Sequence, residues 1–186
     1  MKNIFVLLVS MCMVFISCRG KKAKSNEPLI SAISIIKGQL KHLDTSFYQI
    51  LKFETIDDIT DTTYLKREDV RKQAYAFLSL PDITQNDYSE NYIEDRLIDE
   101  GQNTLSIIAT AKDGNQEIQK QIIIIPMDEF TSGKVASIYM DRITQIKDSS
   151  IQQKLFWQIG HYFQIVNMIQ KGNAPEKVSI VKVKWD

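Results

Sequence analysis

The chain has 186 residues, and its 23 Lys and Arg balance its 23 Asp and Glu, so it carries no net charge. That balance excludes a surface built to neutralise a phosphate backbone, so nucleic acid is not an expected partner. The length suits one ordinary domain that can bury its own hydrophobic core.

Met1, Lys2 and Asn3 open the chain, and an apolar run follows from Ile4 to Ile16. A membrane-crossing helix needs about 20 apolar residues, whereas the core of a secretion signal needs about 7–15. The stretch Arg19-Gly20-Lys21-Lys22-Ala23-Lys24 is basic and cannot prolong the apolar span. Export is therefore expected, and a permanent membrane helix is not.

The junction Phe15-Ile16-Ser17-Cys18 resembles the lipobox of bacterial lipoproteins processed by the type II signal peptidase. Members of that family carry a small residue immediately before an invariant Cys. Ser17 and Cys18 fit that pattern, while Phe15 stands where the family usually has Leu. The resemblance covers about the first 18 residues. It implies a signal over 1–17, a lipidated Cys18 with a flexible tether over 18–27, and a single domain over 28–186. It also implies a diacylglycerol and a further acyl chain on Cys18, and two or more chains anchor stably. On this reading Cys12 leaves with the signal and Cys18 is alkylated, so no disulfide holds the folded part.

In that family the residue after the Cys influences sorting, and Asp there directs retention at the inner membrane. Arg19 is not Asp. The implied location is the cell envelope, with the lipid in the outer membrane and the domain facing the periplasm. The basic run over 19–24 reads as a solvated tether; its sharper alternative is contact with anionic lipid head groups.

Pro28 suits a first helical turn. Leu29, Ile33, Ile36, Leu40, Leu43 and Phe47 then recur every 3–4 residues, which predicts a helix over about 28–44. The segment 47–56 reads either as more helix or as a strand containing Tyr48, Ile50 and Phe53, with the strand preferred because Asp57-Asp58 then forms a turn. A second helix is expected over 66–79. It has Glu68 and Asp69 in its first turn, a stripe of Val70, Ala74, Phe77 and Leu78, and Pro81 as its stop. Residues 81–91 read as loop.

From residue 92 the apolar period changes to two. Strands are expected at 92–99, 103–111, 117–126, 134–146, 151–159, 162–170 and 177–186, joined by turns of the kind that link antiparallel hairpins. Val181, Val183 and Trp185 face one way and Lys182 and Lys184 the other, so part of the sheet has a wet face. Ile122 to Ile125 do not alternate, which predicts a central strand covered on both sides, with Ile33, Ile36, Leu40 and Leu43 as one cover. The expected fold is α+β: two N-terminal helices packed on a mostly antiparallel meander of six to seven strands. The layout is similar to small helix-and-sheet periplasmic lipoproteins and to the nuclear-transport-factor-like cone fold. Lys66-Arg67-Glu68-Asp69-Val70-Arg71 and Lys154-Leu155-Phe156-Trp157-Gln158 resemble stretches of uncharacterised short envelope lipoproteins of gram-negative bacteria, which implies no activity.

Chemistry is thinly marked. His42 and His161 do not stand at metal-ligand spacing, and no metal or other cofactor is expected. Asp57, Asp58 and Asp61 lack the Gly and terminal Glu of a calcium loop and read as an acidic turn. Asp148-Ser149-Ser150 reads as a hairpin turn rather than a nucleophile site. Glu94, Asp95, Asp99 and Glu100 offer carboxylates close in sequence, as wet sheet faces often do. Asp61-Thr62-Thr63 resembles the sequon of periplasmic O-glycosylation, which makes Thr62 the implied acceptor; the alternative is a turn or cap before the second helix.

Phe156, Trp157, Tyr162 and Phe163 cluster around Gly160. Core packing is one reading. The other is a binding surface formed by Trp157, Tyr162 and Phe163. The functional expectation is a non-catalytic binding or assembly module tethered by lipid on Cys18, whose partner is an envelope protein, glycan or lipid. The alternative is a periplasmic enzyme with a carboxylate or His161 site in a concave sheet.

Overall fold

A computed structural model describes residues 30–185. The expected signal, Cys18, the tether, Pro28 and Leu29 lie outside the described residues. Ser31 caps the first helix, α1 (Ala32–Thr45), its hydroxyl oxygen accepting the Ser34 N–H at 3.1 Å. Ile33, Ile36, Leu40 and Leu43 fall on one side of α1 and are buried, as the 3–4 spacing requires, but Phe47 lies past the end of the helix and is 98% exposed, so it is not part of that stripe.

The second expected helix is not continuous. It consists of a 3-10 turn (Arg67–Asp69), α2 (Val70–Gln73) and α3 (Tyr75–Leu78). The break lies at Ala74, whose ψ of 6° leaves the helical range. The Phe77 N–H there bonds the Ala74 carbonyl three residues back, at 3.0 Å. Val70, Ala74 and Phe77 nevertheless all enter the core. The apolar spacing survives the break, which is why the sequence reads as one helix. A further turn, α4 (Asn86–Ser89), interrupts the expected loop.

The strands are β1 (Ile50–Ile56), β2 (Ile59–Tyr64), β3 (Tyr92–Asp99), β4 (Thr104–Ala111), β5 (Ile118–Pro126), β6 (Ser137–Ile146), β7 (Ser149–Gln158), β8 (Tyr162–Lys171) and β9 (Lys177–Trp185). They form one sheet in the order β2-β1-β9-β8-β7-β6-β5-β4-β3, and every neighbouring pair is antiparallel. Seven of them match the expected meander. The expected arrangement is corrected by the hairpin β1–β2, which lies between the helical segments in sequence and adds itself beside the last strand. Its two-residue turn, Asp57-Asp58, has φ of 50° and 64°, the pattern of a type I′ turn that matches strand twist. The segment 47–56 thus contains a strand, as preferred, beginning at Ile50.

All the buried apolar side chains of the sheet share one face with the helices. Trp157 and Phe163 stack there with ring centroids 4.9 Å apart. Phe77 meets both edge-on, at 5.2 and 5.7 Å, and Trp185 lies 5.8 Å from Trp157. Such contacts add to the burial that drives folding. Gln39 of α1 accepts the Gly160 N–H at 3.0 Å, and Arg71 of α2 clasps Asp44 at 2.5 Å. The first bond ties α1 to the β7–β8 turn of the sheet, and the second ties it to α2.

The expectation for Ile122 to Ile125 is also corrected. Ile123 and Ile125 are buried under the helices, at 1% and 2% exposure. Ile122 and Ile124 point to the opposite face and are half-buried. The strand alternates after all, but both of its faces are apolar, so the alternation is invisible in the sequence.

Candidate functional site

The helix-free face of the sheet carries the organised surface. Backbone pairing sets Ile108, Ile122, Tyr139, Phe156, Gln164 and Lys182 side by side on β4 to β9. Because directly paired antiparallel residues point the same way, these six form one straight row. All six are half-buried. Tyr162, diagonal to Phe156, has its ring centroid 5.7 Å away. The Lys182 Nζ sits 4.1 Å above the Tyr162 ring, a cation–π distance. Burial, with Asp141 adding to it, pushes the Tyr139 phenol above its ordinary pKa. The next row along the strands is charged: Lys120, Asp141 and Lys154 lie opposite one another. An apolar and aromatic centre with a charged rim is the anatomy of a protein interface.

The helix face is braced differently beyond its apolar core. Arg142 donates to Gln153 at 2.9 Å, Gln153 to Asn167 at 2.6 Å, and Asn167 to Ser179 at 3.3 Å. Arg142 also pairs with Glu117. This polar row crosses four strands and braces the sheet, although the Arg142 Nε itself is buried without a partner.

Comparison with protein-family models, curated protein sequences and solved structures finds no match to this chain.

The residues singled out from the sequence scatter. Trp157 and Phe163 are fully buried, so they do not share a surface with Tyr162, which lies on the helix-free face. Alternation across the β7–β8 turn separates them, and the core-packing reading holds for that pair. His161 is exposed beside that turn, where its carbonyl accepts the Trp185 N–H at 2.9 Å. His42 is exposed on α1, 6.3 Å from the Tyr48 ring. A cavity of about 450 Å³ is lined by Tyr48, Tyr64, Arg67 and neighbours. Another of about 430 Å³ is lined by Tyr88, Tyr92, Glu117 and neighbours. His161 lines neither.

The carboxylates diverge as well. Glu94 pairs with Arg96 at 2.9 Å on the helix face, while Asp95 points to the other face and Asp99 accepts the Gln102 N–H at 3.0 Å in the following turn. Among the described residues no group of three or more His, Cys, Asp or Glu is placed to hold a metal ion. Thr62 is exposed in β2, an edge strand, rather than in a turn or helix cap.

Sequence reasoning missed Ile108, Ile122, Tyr139 and Phe156 as a unit. Each sits on a different strand, and only the register brings them together. The signal that was available is the parity of Phe156 with Tyr162 across the β7–β8 turn.

Proposed function

We propose that this chain is an envelope lipoprotein, anchored by lipid on Cys18 in the outer membrane and facing the periplasm, whose domain is a non-catalytic binding or assembly module. The partner is a folded envelope protein that docks on the helix-free face. The single observation that supports docking is the row from Ile108 to Phe156, an apolar and aromatic band that no described helix covers. Its rim of Lys120, Asp141 and Lys154 gives a partner charges of both signs to match. Lipid anchoring rests on Ser17-Cys18 after the apolar run. Exposed Thr62 beside Asp61 remains the acceptor proposed for an O-linked glycan.

The test places a photoreactive amino acid at Tyr139 in the full chain, expressed in its own envelope, with Lys147 at a hairpin tip as the control position. A discrete protein adduct at 139, lost when Phe156→Lys is added, is the expected result. Adducts with lipid or glycan alone, or equal adducts at both positions, would overturn the protein-docking reading. Anchoring is tested separately: the Cys18→Ala chain should take up no labelled fatty acid and keep its signal. Continued labelling would refute it.

A further inference from the structure

The sheet ends in two edge strands, β2 and β3. Edge strands invite pairing with other chains, and proteins commonly block them. The β2 edge is blocked at its centre. The Leu65 N–H bonds the Ile50 carbonyl, so antiparallel alternation turns the backbone groups of Thr60, Thr62 and Tyr64 outward. The Thr62 N–H donates instead to Asp61 Oδ1 of its own strand, at 2.9 Å.

The β3 edge is built differently. The Lys112 N–H bonds the Asn91 carbonyl, and by the same alternation the backbone groups of Tyr92, Glu94, Arg96 and Ile98 point outward. This eight-residue strand contains no Pro and no Lys, two of the usual edge blockers. Ile93, Leu97 and Ile98 are 51%, 59% and 58% exposed, a concentration of apolar surface that an edge strand ordinarily avoids.

The sequence of β3 is also nearly palindromic in chemistry about Asp95: Tyr92-Ile93-Glu94, then Asp95, then Arg96-Leu97-Ile98. We propose that β3 pairs antiparallel with β3 of a second copy of this chain, on a two-fold axis at Asp95, joining the two sheets into one.

The register follows from the pattern. With Asp95 opposite its own copy, Glu94 faces Arg96 twice, Ile93 faces Leu97 twice, and Tyr92 faces Ile98 twice. The outward-pointing residues 92, 94, 96 and 98 fall opposite one another, as the hydrogen-bonded positions must. Opposite charges and apolar pairs directly across strands both stabilise pairing. Arg96 and Glu94 already pair within one strand, and in the dimer the two pairs would join into a four-charge group. Asp95 against Asp95 is the one repulsive pair. The interface is a single strand wide on each side, so a dissociation constant on the order of micromolar is expected. This proposal goes beyond the partner docking above and uses the sheet's edge, not its face.

The test uses the full chain in detergent at about 100 µM, well above that constant. Sedimentation should report twice the mass of one chain. Arg96→Glu should weaken the dimer about tenfold to hundredfold, since both cross-strand ion pairs turn repulsive. The double swap Glu94→Arg with Arg96→Glu should restore it, which also shows that the variants fold. Under oxidation, Asp95→Cys should form a chain-to-chain disulfide, because facing non-hydrogen-bonded residues lie about 4.5 Å apart. Ile93→Cys should not bond its own copy, roughly 14 Å away along the strands. The unsubstituted chain, with Cys12 and Cys18, sets the background. A monomer at that concentration, a dimer indifferent to Arg96→Glu, or equal cross-linking at 93 and 95 would overturn the proposal.

Discussion

Ser31 and Asp82, 51 residues apart in sequence, are joined by a 2.5 Å hydrogen bond from the serine hydroxyl to the carboxylate. Ser31 caps α1 and Asp82 organises the loop after α3, where it also accepts the Thr84 N–H at 3.1 Å and the Thr84 hydroxyl at 2.8 Å. One contact therefore ties the start of the covering helix to the segment that brings Ile83 into the core. Ser31→Ala should cost about 1 kcal/mol through the lost cap. Asp82→Ala should cost about 1.5–3 kcal/mol, because its bonds involve a charged acceptor. The double variant should cost less than the two single changes added together, since the residues share a bond. Strict additivity in urea unfolding would show that the bond does not form.

Asp82 also sets a pH dependence. Burial pushes its carboxyl up, but the hydrogen bonds from Ser31 and Thr84, with Lys37 nearby, more than offset this and hold it below the ordinary 3.8. A folded-state pKa below the unfolded one adds stability that is present above pH 3.8 and lost as pH falls through the folded value. The acid limb of the stability curve should flatten in Asp82→Asn, and an unchanged limb would remove Asp82 from the account.

Ile123 and Ile124 differ by face, and substitution should separate them. Ile123 is 1% exposed beneath the helices, so Ile123→Ala should cost about 2–5 kcal/mol through lost transfer energy and an added cavity. Ile124 is half-buried on the helix-free face, and the same change should cost roughly 1 kcal/mol or less, since its side chain keeps solvent on one side. Equal losses in thermal unfolding would mean that both faces are covered.

That pair also shows what the sequence could and could not reveal. Ile33, Ile36, Leu40 and Leu43 are legible because one face is apolar and the other is not. The strands from 92 onward are legible for the same reason, with period two. Ile122 to Ile125 are not, because both faces are apolar and periodicity carries no contrast. The β1–β2 hairpin was half-legible: Thr60, Thr62, Thr63 and Tyr64 are residues that favour strands, but Asp57-Asp58 lacks the glycine that usually marks a two-residue turn. The row from Ile108 to Phe156 depends on which strands adjoin, and that is a property of the whole sheet.

Tyr92 predicts an alkaline transition. Its side chain is 6% exposed, and its hydroxyl donates to the Ile118 carbonyl at 2.9 Å. Burial, reinforced by Glu117, Tyr88 and Asp113, pushes its pKa from 10.0 up to about 12. A folded pKa above the unfolded one means that stability is full below pH 10 and drains away as pH rises to about 12. The loss should total about 3 kcal/mol at most. Tyr92→Phe should cost about 1 kcal/mol at neutral pH through the missing hydrogen bond. It should also abolish that part of the alkaline decline. A Tyr92→Phe chain with an unchanged slope between pH 10 and 12 would assign the decline to other groups.

The hairpin turn offers a stabilising change. Asp57 and Asp58 both adopt positive φ, a region that Gly occupies freely and that Asn and Asp visit only occasionally, as single residues. They also place two like charges next to each other. The cross-strand register is otherwise sound: Ile56 faces Ile59, and the Thr55 and Thr60 hydroxyls lie 2.8 Å apart. β2 is exposed along its whole length, so little burial holds it and the turn carries an unusual share of the hairpin's stability. Asp57→Asn with Asp58→Gly supplies the residue pair that type I′ turns favour. The double variant should stabilise the domain by about 0.5–1 kcal/mol, the gain tempered by the added freedom of glycine in the unfolded chain. Protection of the Thr60 to Tyr64 amides against hydrogen exchange should rise, most clearly at Asp61 and Thr63, whose N–H groups face β1 in the alternation set by the Leu65–Ile50 bond. A loss of stability would instead mean that the two Asp side chains hold the turn through contacts that glycine and asparagine cannot replace.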